Sequence, residues 1–63
     1  MRYFIITNGT QYYSHTRAFS HIFEPYFTRD ISNAKYFSNK QEAQNILSLI
    51  KKSGLLGYKV VEF

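Results

Sequence analysis

Aromatic and basic side chains alternate along the first half of the sequence, and they are the residues best suited to bind another molecule. In proteins that bind single-stranded nucleic acid, exposed rings stack on the bases while Arg or Lys contacts the phosphates. A short chain without Trp or Cys needs the same rings to bury apolar area, and the composition favours this core role. The residues concerned are Tyr12, Tyr13, His15, Arg17, Phe19, His21, Phe23, Tyr26, Phe27 and Arg29.

A second use of these residues is contact with a protein partner. Tyr and Arg are among the types most enriched where protein interfaces concentrate their binding energy. The chain has six Tyr, and so small a protein cannot bury all of them with their hydroxyls hydrogen-bonded, so some are expected to reach solvent. We therefore predict partner contacts at five residues outside the predicted helix: Tyr12, Tyr13, Arg17, Tyr26 and Arg29.

Catalytic and metal chemistry have little support in the residue spacing. His15, His21 and Glu24 could hold a metal or supply a general base, but their spacing matches no established metal motif, and we expect the histidines to line an aromatic loop. Ser14 and Ser20 each precede a histidine, yet neighbours on a strand point to opposite faces and cannot act as nucleophile and base. We predict no enzyme activity, no catalytic residue, no metal and no other cofactor.

Length and charge limit the class of protein. The 63 residues suffice for one domain, residues 1–63, with a small core. Eight Lys and Arg against four Asp and Glu give a net charge of +4, which suits nucleic acid, an acidic protein or an anionic membrane surface without choosing among them. Because the sequence has no long apolar run and no export signal, we expect a soluble, cytoplasmic protein with no membrane partner.

The clearest local signal is Asn8-Gly9, which lies between two segments rich in β-branched and aromatic residues. It predicts a hairpin with a two-residue type I′ turn between strands at residues 2–7 and 10–15. In the first strand, Phe4 and Ile6 share one face and other apolar residues share the opposite face. Apolar residues on both faces favour a central position in the sheet.

The segment after the hairpin is less regular. Residues 16–24 have no clean period, and Pro25 disfavours a helical conformation in the residue before it, so we predict a loop or a single helical turn. Residues 26–29 have the composition of a short strand. Residues 30–35 are rich in turn-forming types and lead into an extended segment at Tyr36-Phe37.

A helix is predicted over residues 39–52. Ser38 is the predicted N-cap, and Gln41, three residues later, completes a capping box. Gly54 is the predicted end of the helix, and a final strand follows over residues 57–63. Apolar side chains recur at the i, i+3, i+4 and i+7 positions of one helix face, which are Ala43, Ile46, Leu47 and Ile50.

These elements predict a small two-layer α+β domain with the order β-β-(β)-α-β. An antiparallel sheet of three or four strands carries one helix packed on one face. The final strand is expected to pair beside the first, which would account for the two apolar faces of the first strand. The edges of so short a sheet are open to another strand, so we also expect either a homodimer through a sheet edge or a partner that completes the sheet.

Three parts of the sequence carry a resemblance to a group of known proteins: the strand at residues 2–7 with its Tyr-rich hairpin, residues 31–38 leading to Glu42-Ala43, and the strand at residues 58–61. Through them the chain resembles the very small proteins carried by phages and prophages of low-GC Gram-positive bacteria. The resemblance covers nearly the whole chain and brings no catalytic residue. It implies that three residues pack the helix on the sheet: Ala34, Phe37 and Ala43.

The function expected from the sequence and the resemblance is non-enzymatic binding of a protein partner. The resemblance implies an accessory protein that binds host or phage components, and inhibition of a host enzyme or of a defence complex is one such role. The alternative is a basic nucleic-acid-binding protein, single-stranded or non-specific. The two differ in salt dependence, because contacts to phosphates weaken steeply as salt rises whereas an interface built on Tyr does so much less.

Overall fold

The computed structural model describes residues 2–19 and 22–63. Its elements are β1 (Phe4–Thr7), β2 (Tyr12–Phe19), β3 (Ile22–Thr28), a 3₁₀ turn (Ile31–Asn33), α1 (Lys40–Lys52) and β4 (Lys59–Glu62). Within these residues the strands form one antiparallel sheet in the order β3-β2-β1-β4. A four-stranded sheet with one helix confirms the predicted small α+β domain, and the last strand pairs beside the first, as expected.

β1 is an inner strand of the sheet, and both of its faces are buried. Ile6 points toward α1 and is 0% exposed, whereas Ile5 points to the opposite face and is 3% exposed. Every residue of β1 is paired with β4, and Thr7 is also paired with Tyr12 of β2. The central position predicted from two apolar faces is therefore confirmed.

The core lies between α1 and one face of the sheet. Ala43 and Ile50 of α1 are fully buried, and Ile46 and Leu47 pack against the same cluster, so the predicted apolar stripe is confirmed. The sheet and the segment before α1 supply the other buried members, which are Ile6, Tyr13 and Phe37. The three residues singled out by the resemblance are all buried: Ala34, Phe37 and Ala43.

The first turn of α1 begins one residue later than the sequence predicted. Asn39 is the N-cap, and its side-chain oxygen accepts a hydrogen bond from the Gln41 N–H at 2.8 Å. The prediction of Ser38 as the cap is wrong. Both residue types are strong caps, and the extended backbone at Asn39, with φ −128° and ψ 124°, is the conformation a cap requires.

The end of α1 follows the prediction. Gly54 has φ +92°, a conformation that favours glycine. The N–H groups of Gly54 and Leu55 donate to the carbonyls of Lys51 and Ile50, at 3.0 Å and 3.3 Å. This double hydrogen bond is the Schellman motif, which satisfies carbonyls left free at a helix end.

The β1–β2 hairpin is present, but its turn is placed differently from the prediction. The paired residues are Thr7 and Tyr12, and the Asn8 N–H donates to the Gln11 carbonyl at 3.3 Å, so the turn is centred on residues 9 and 10. The Asn8 side-chain oxygen accepts from the Thr10 and Gln11 N–H groups, at 3.0 Å and 2.8 Å. Asn8 therefore closes the turn with its side chain instead of occupying its centre, which corrects the expected type I′ turn at Asn8-Gly9.

The predicted loop at residues 16–24 is wrong. Its described part continues β2 and begins β3, which pair with each other as far as Phe19 and Ile22. Pro25 lies within β3, opposite Thr16. β3 is an edge strand, where a residue without an N–H is tolerated, so the proline that suggested a break is compatible with a strand.

β1 and β2 separate beyond their single pair, and another part of the chain enters between them. Phe37 exchanges two backbone hydrogen bonds of 2.8 Å with Phe4, and the Lys35 N–H donates to the Tyr13 carbonyl at 2.9 Å. The pairing of β2 with β3 shifts between Tyr13 and His15, which leaves Ser14 as the extra residue of a β-bulge. Beyond the bulge, residues 15–19 and 22–26 form a two-stranded ribbon, which we call the ribbon.

Candidate binding surface

The face of the sheet opposite α1, here called the open face, can be assigned from the register. Paired residues share a face and successive residues alternate, except at the bulge. Because Ile6 and Tyr13 lie in the core, the alternating residues of β1 and β2 lie on the other side. The rings and charged groups that the register places on the open face are Tyr3, Tyr12, His15, Arg17, Glu24, Tyr26, Tyr36, Lys59 and Phe63.

Four of the five predicted contact residues lie at the surface or partly so. Tyr12 and Tyr26 are half-buried on the open face, and Arg17 is exposed there, opposite Glu24 in the ladder. Arg29 is exposed just beyond the end of β3. The register brings Arg17 and Tyr26 together on the ribbon, while Tyr12 lies at its base.

Tyr13 is the exception, because its predicted surface position is wrong. It is 5% exposed and belongs to the core cluster. Its ring stacks on Phe37 with the ring centres 6.0 Å apart and meets Phe27 edge-on at 6.3 Å. Its hydroxyl is satisfied without reaching solvent, by a hydrogen bond with the Thr16 hydroxyl. Tyr13 therefore contributes to packing at the base of the ribbon.

A stacked ring pair on the ribbon is the first feature of the open face. His15 and Tyr26 face each other across the ladder with their ring centres 4.8 Å apart and their planes within 8°. The Ser14 hydroxyl lies 3.1 Å from Nδ1 of His15. The sequence did not predict this stack, because it depends on the bulge at Ser14, which shifts the register by one residue.

A second ring cluster lies on the β1–β4 side of the open face. Tyr36 meets Tyr3 edge-on with ring centres 6.1 Å apart and lies 5.7 Å from Phe63. The Tyr36 hydroxyl donates to the Ile31 carbonyl at 2.8 Å, which fixes the ring in place. Tyr3 is 37% exposed and Phe63 is 60% exposed, so the cluster presents apolar ring surface to solvent. In the sequence, side chains alternate between the two faces along β1 and β4, and this pattern indicates that Tyr3 and Phe63 lie on the open face.

The charges of the open face are few and mixed. The register places Arg17 and Lys59 there, together with the acidic Glu24. Arg2 forms an exposed ion pair with Glu62, 3.2 Å between Nε and Oε1. The remaining cations include Lys40, Lys51 and Lys52 on α1, away from the sheet surface. The net charge of +4 is therefore spread over the molecule and not concentrated beside the rings.

Residues 2–19 and 22–63 contain no group of three His, Asp or Glu side chains placed to hold a metal ion, and no cavity. Of the candidates considered from the sequence, His21 and Ser20 lie outside the described residues. His15 and Glu24 are both exposed on the ribbon.

Two further findings concern the chain as a whole. In the described residues, α1 is the one α-helix, and it is too short and too polar to cross a membrane. Comparison with models of known protein families, with curated proteins and with solved structures found no match.

Proposed function

We propose that this is a non-enzymatic protein that binds another protein through the open face of its sheet. The observation that carries the proposal is the pair of ring clusters on that face, His15–Tyr26 on the ribbon and Tyr3–Tyr36–Phe63 on the β1–β4 side. Partly exposed aromatic rings with few charges are the composition that distinguishes the centre of a protein interface from ordinary surface.

The distribution of charge favours a protein over a nucleic acid as the partner. A groove that follows a phosphate backbone needs several cations beside the rings. Among the strand residues that the structure describes, the register places two cations on the open face, Arg17 and Lys59, together with the acidic Glu24. Binding of nucleic acid is the second candidate, supported by the flat His15–Tyr26 stack and the net charge of +4.

The biological setting of this binding is also a proposal. The resemblance to small phage and prophage proteins supports an accessory role in the host-cell cytoplasm, with a host enzyme or a defence complex as the partner. A homodimer through a sheet edge is a further proposed assembly. The β4 edge supports it better than the β3 edge, because Pro25 lies in β3.

The test compares capture of a partner by the wild type and by variants of the open face. Immobilised protein is exposed to lysate of a low-GC Gram-positive bacterium, and captured proteins are identified. The double variant Tyr12→Ser/Tyr26→Ser is expected to fold and to lose the captured protein. Gln44→Ser, which changes an exposed residue of α1, is the matched control and should retain it. Equal capture by all three would contradict the proposal.

The nucleic-acid alternative is tested in parallel with labelled single- and double-stranded oligonucleotides. Fluorescence anisotropy is measured at about 50 and about 200 mM salt. We expect no binding at micromolar protein at either salt. Binding at the lower salt that collapses at the higher salt, and that is lost on Arg17→Ser, would replace the protein-binding proposal with the nucleic-acid one.

A further inference from the structure

The outer edge of β4 carries backbone groups that face away from the sheet. The Tyr3 and Phe63 backbones exchange hydrogen bonds of 3.3 Å and 2.7 Å, so Phe63 directs its N–H and carbonyl toward β1. These groups alternate in direction along an antiparallel strand. The backbone N–H and C=O groups of Val61 therefore also face β1. The backbone groups of Val60 and Glu62 face the outer edge. Among residues 2–19 and 22–63, no strand lies on that side.

The two edges of the sheet differ in their suitability for another strand. β3 contains Pro25, which offers no N–H to a neighbour, and its partner β2 is bent by the bulge at Ser14. β4 contains neither proline nor glycine and has two adjacent β-branched residues, Val60 and Val61. The β4 edge therefore meets the requirements for strand addition.

We propose that a second copy of this chain pairs with the β4 edge, with its own β4 antiparallel and a two-fold axis at Val61. A two-fold axis through a continuous antiparallel sheet runs perpendicular to it, so the paired residues must lie on the same face of both copies. With the axis at Val61, Val60 lies opposite Glu62 of the second copy. The outward backbone N–H of each residue then donates a hydrogen bond to the backbone carbonyl of the other.

Side-chain chemistry favours this register over one centred on Val60. With the axis at Val61, Lys59 lies opposite Phe63 of the second copy on the open face. Phe63 is 60% exposed and Lys59 is exposed, so the ammonium group can lie against the ring. Moving the axis to Val60 would place Lys59 opposite Val61 instead, without that contact.

The helix layer also accommodates the second copy. α1 packs against β1 and β4, on the face opposite the open face. Strands are spaced by about 4.8 Å, so the two helices would lie about 10 Å apart, which is close to the distance at which helices pack. Pairing would join the two sheets into one of eight strands. The contact along one short strand is smaller than a standard interface, so we expect association in the micromolar range.

The first experiment measures mass in solution by light scattering and sedimentation, from about 10 µM to about 1 mM protein. The wild type should pass from monomer to dimer over this range. Val61→Asp and Val61→Lys each place like charges at the axis and should remain monomeric, and their equimolar mixture should restore the dimer. Gln44→Asp, a charge change on exposed helix surface, should dimerise as the wild type does.

These outcomes separate loss of pairing from loss of folding, because two monomeric variants that recover a dimer on mixing must both be folded. A wild type that stays monomeric at the highest concentration overturns the proposal. So does a Val61→Asp variant that dimerises as well as the wild type. Capture of the open-face partner is tested with a different variant, Tyr12→Ser/Tyr26→Ser, so failure of the dimer and failure of the proposed function are distinguishable.

The second experiment tests the register by disulfide formation. The chain has no cysteine, so a single substitution gives one thiol per copy. At a pair that exchanges no backbone hydrogen bonds, the Cα atoms lie about 4.5 Å apart, within disulfide range. Val61→Cys should therefore oxidise to a covalent dimer, whereas Phe63→Cys, whose copies lie on opposite sides of the axis, should not. Equal yields from the two variants would overturn the register.

Discussion

The strand β2 runs through two regions of the molecule that differ in burial and in the elements packed around them. In the centre, which comprises β1, β4 and α1 with the base of β2, Ile5, Ile6 and Thr7 are all buried. In the ribbon beyond Ser14, none of residues 15–17 and 23–26 is buried. The centre has a strand on each side of β1 and the helix above it. The ribbon has two strands and contacts the core through Phe23 and through the hydrogen bond of Thr16 with Tyr13.

This difference separates the residues that stabilise the fold from those available for binding. A two-stranded ribbon is at best marginally stable by itself, so the ribbon depends on the centre to which it is joined. The side chains on its open side are exposed or only half-buried, so they contribute little to the core. We therefore expect substitutions in the centre to reduce the free energy of unfolding, and substitutions on the open side of the ribbon to affect binding first.

The largest effect is expected at Ile50, which is 0% exposed in the centre. Ile50→Ala should lower the free energy of unfolding by about 2–5 kcal/mol, because it removes buried methyl groups and leaves a cavity. Leu49→Ala, at a neighbouring residue that is 38% exposed, is the control and should cost less than about 1 kcal/mol. Urea denaturation followed by circular dichroism measures both. Equal losses would show that the helix packs differently from the description above.

The next effect concerns the cap that begins the helix over the centre. Asn39→Ala removes the acceptor for the Gln41 N–H and should cost about 1 kcal/mol. Ser38→Ala should cost only a few tenths of a kcal/mol, because Ser38 is not the cap. The same denaturation measurement decides between them. A larger loss for Ser38→Ala would restore the cap first predicted from the sequence.

The hydrogen bond of Tyr13 with Thr16 connects the centre to the ribbon. Tyr13→Phe keeps the ring in the core and removes the hydroxyl, so we expect a loss of about 1 kcal/mol in the free energy of unfolding. Thr16→Val removes the partner. In a double-mutant cycle the two changes should be non-additive, since the second removes an interaction that is already lost. Additive losses would mean that the ribbon is not held through this pair.

Smaller effects are expected on the open side of the ribbon. Tyr26→Ala or His15→Ala breaks the stacked pair of partly exposed rings and should change the free energy of unfolding by less than about 1 kcal/mol. Hydrogen exchange should show faster amide exchange in residues 15–17 and 23–26 than in β1, in the wild type and in both variants. A variant that exposes the amides of β1 to exchange would contradict the separation of the two regions.

The smallest effect is a pH dependence outside both regions. The hydroxyl and the backbone N–H of Ser32 donate to the Asp30 carboxylate, and these hydrogen bonds lower the pKa of Asp30 from its usual 3.8. A lowered pKa in the folded state means that the stabilisation is present above the unfolded pKa and is lost as pH falls through the folded value. NMR titration should therefore give a midpoint below 3.8 for Asp30. Ser32→Ala should raise the midpoint, and an unchanged midpoint would contradict the assignment.

The centre was more predictable from the sequence than the ribbon. The helix face, the ending at Gly54 and the inner position of β1 follow from local rules of periodicity and turn chemistry. The ribbon did not follow from such rules, because Pro25 is acceptable only in an edge strand, and edge position is a property of the whole sheet. Burial of Tyr13 could not be predicted either, because its hydroxyl partner Thr16 comes to the same face of the sheet through the bulge.

The pairing of β1 with β4 has a consequence for the order in which the chain folds. β2 and β3 are neighbours in sequence and can pair early, whereas the pairing of Phe4 with Glu62 must close a loop that includes almost all of the chain. Contacts between distant residues carry a larger entropic cost of closure and slow the search for the native state. The most buried strand of the protein therefore depends on the contact that is expected to form last, and the less buried ribbon can serve as the early template.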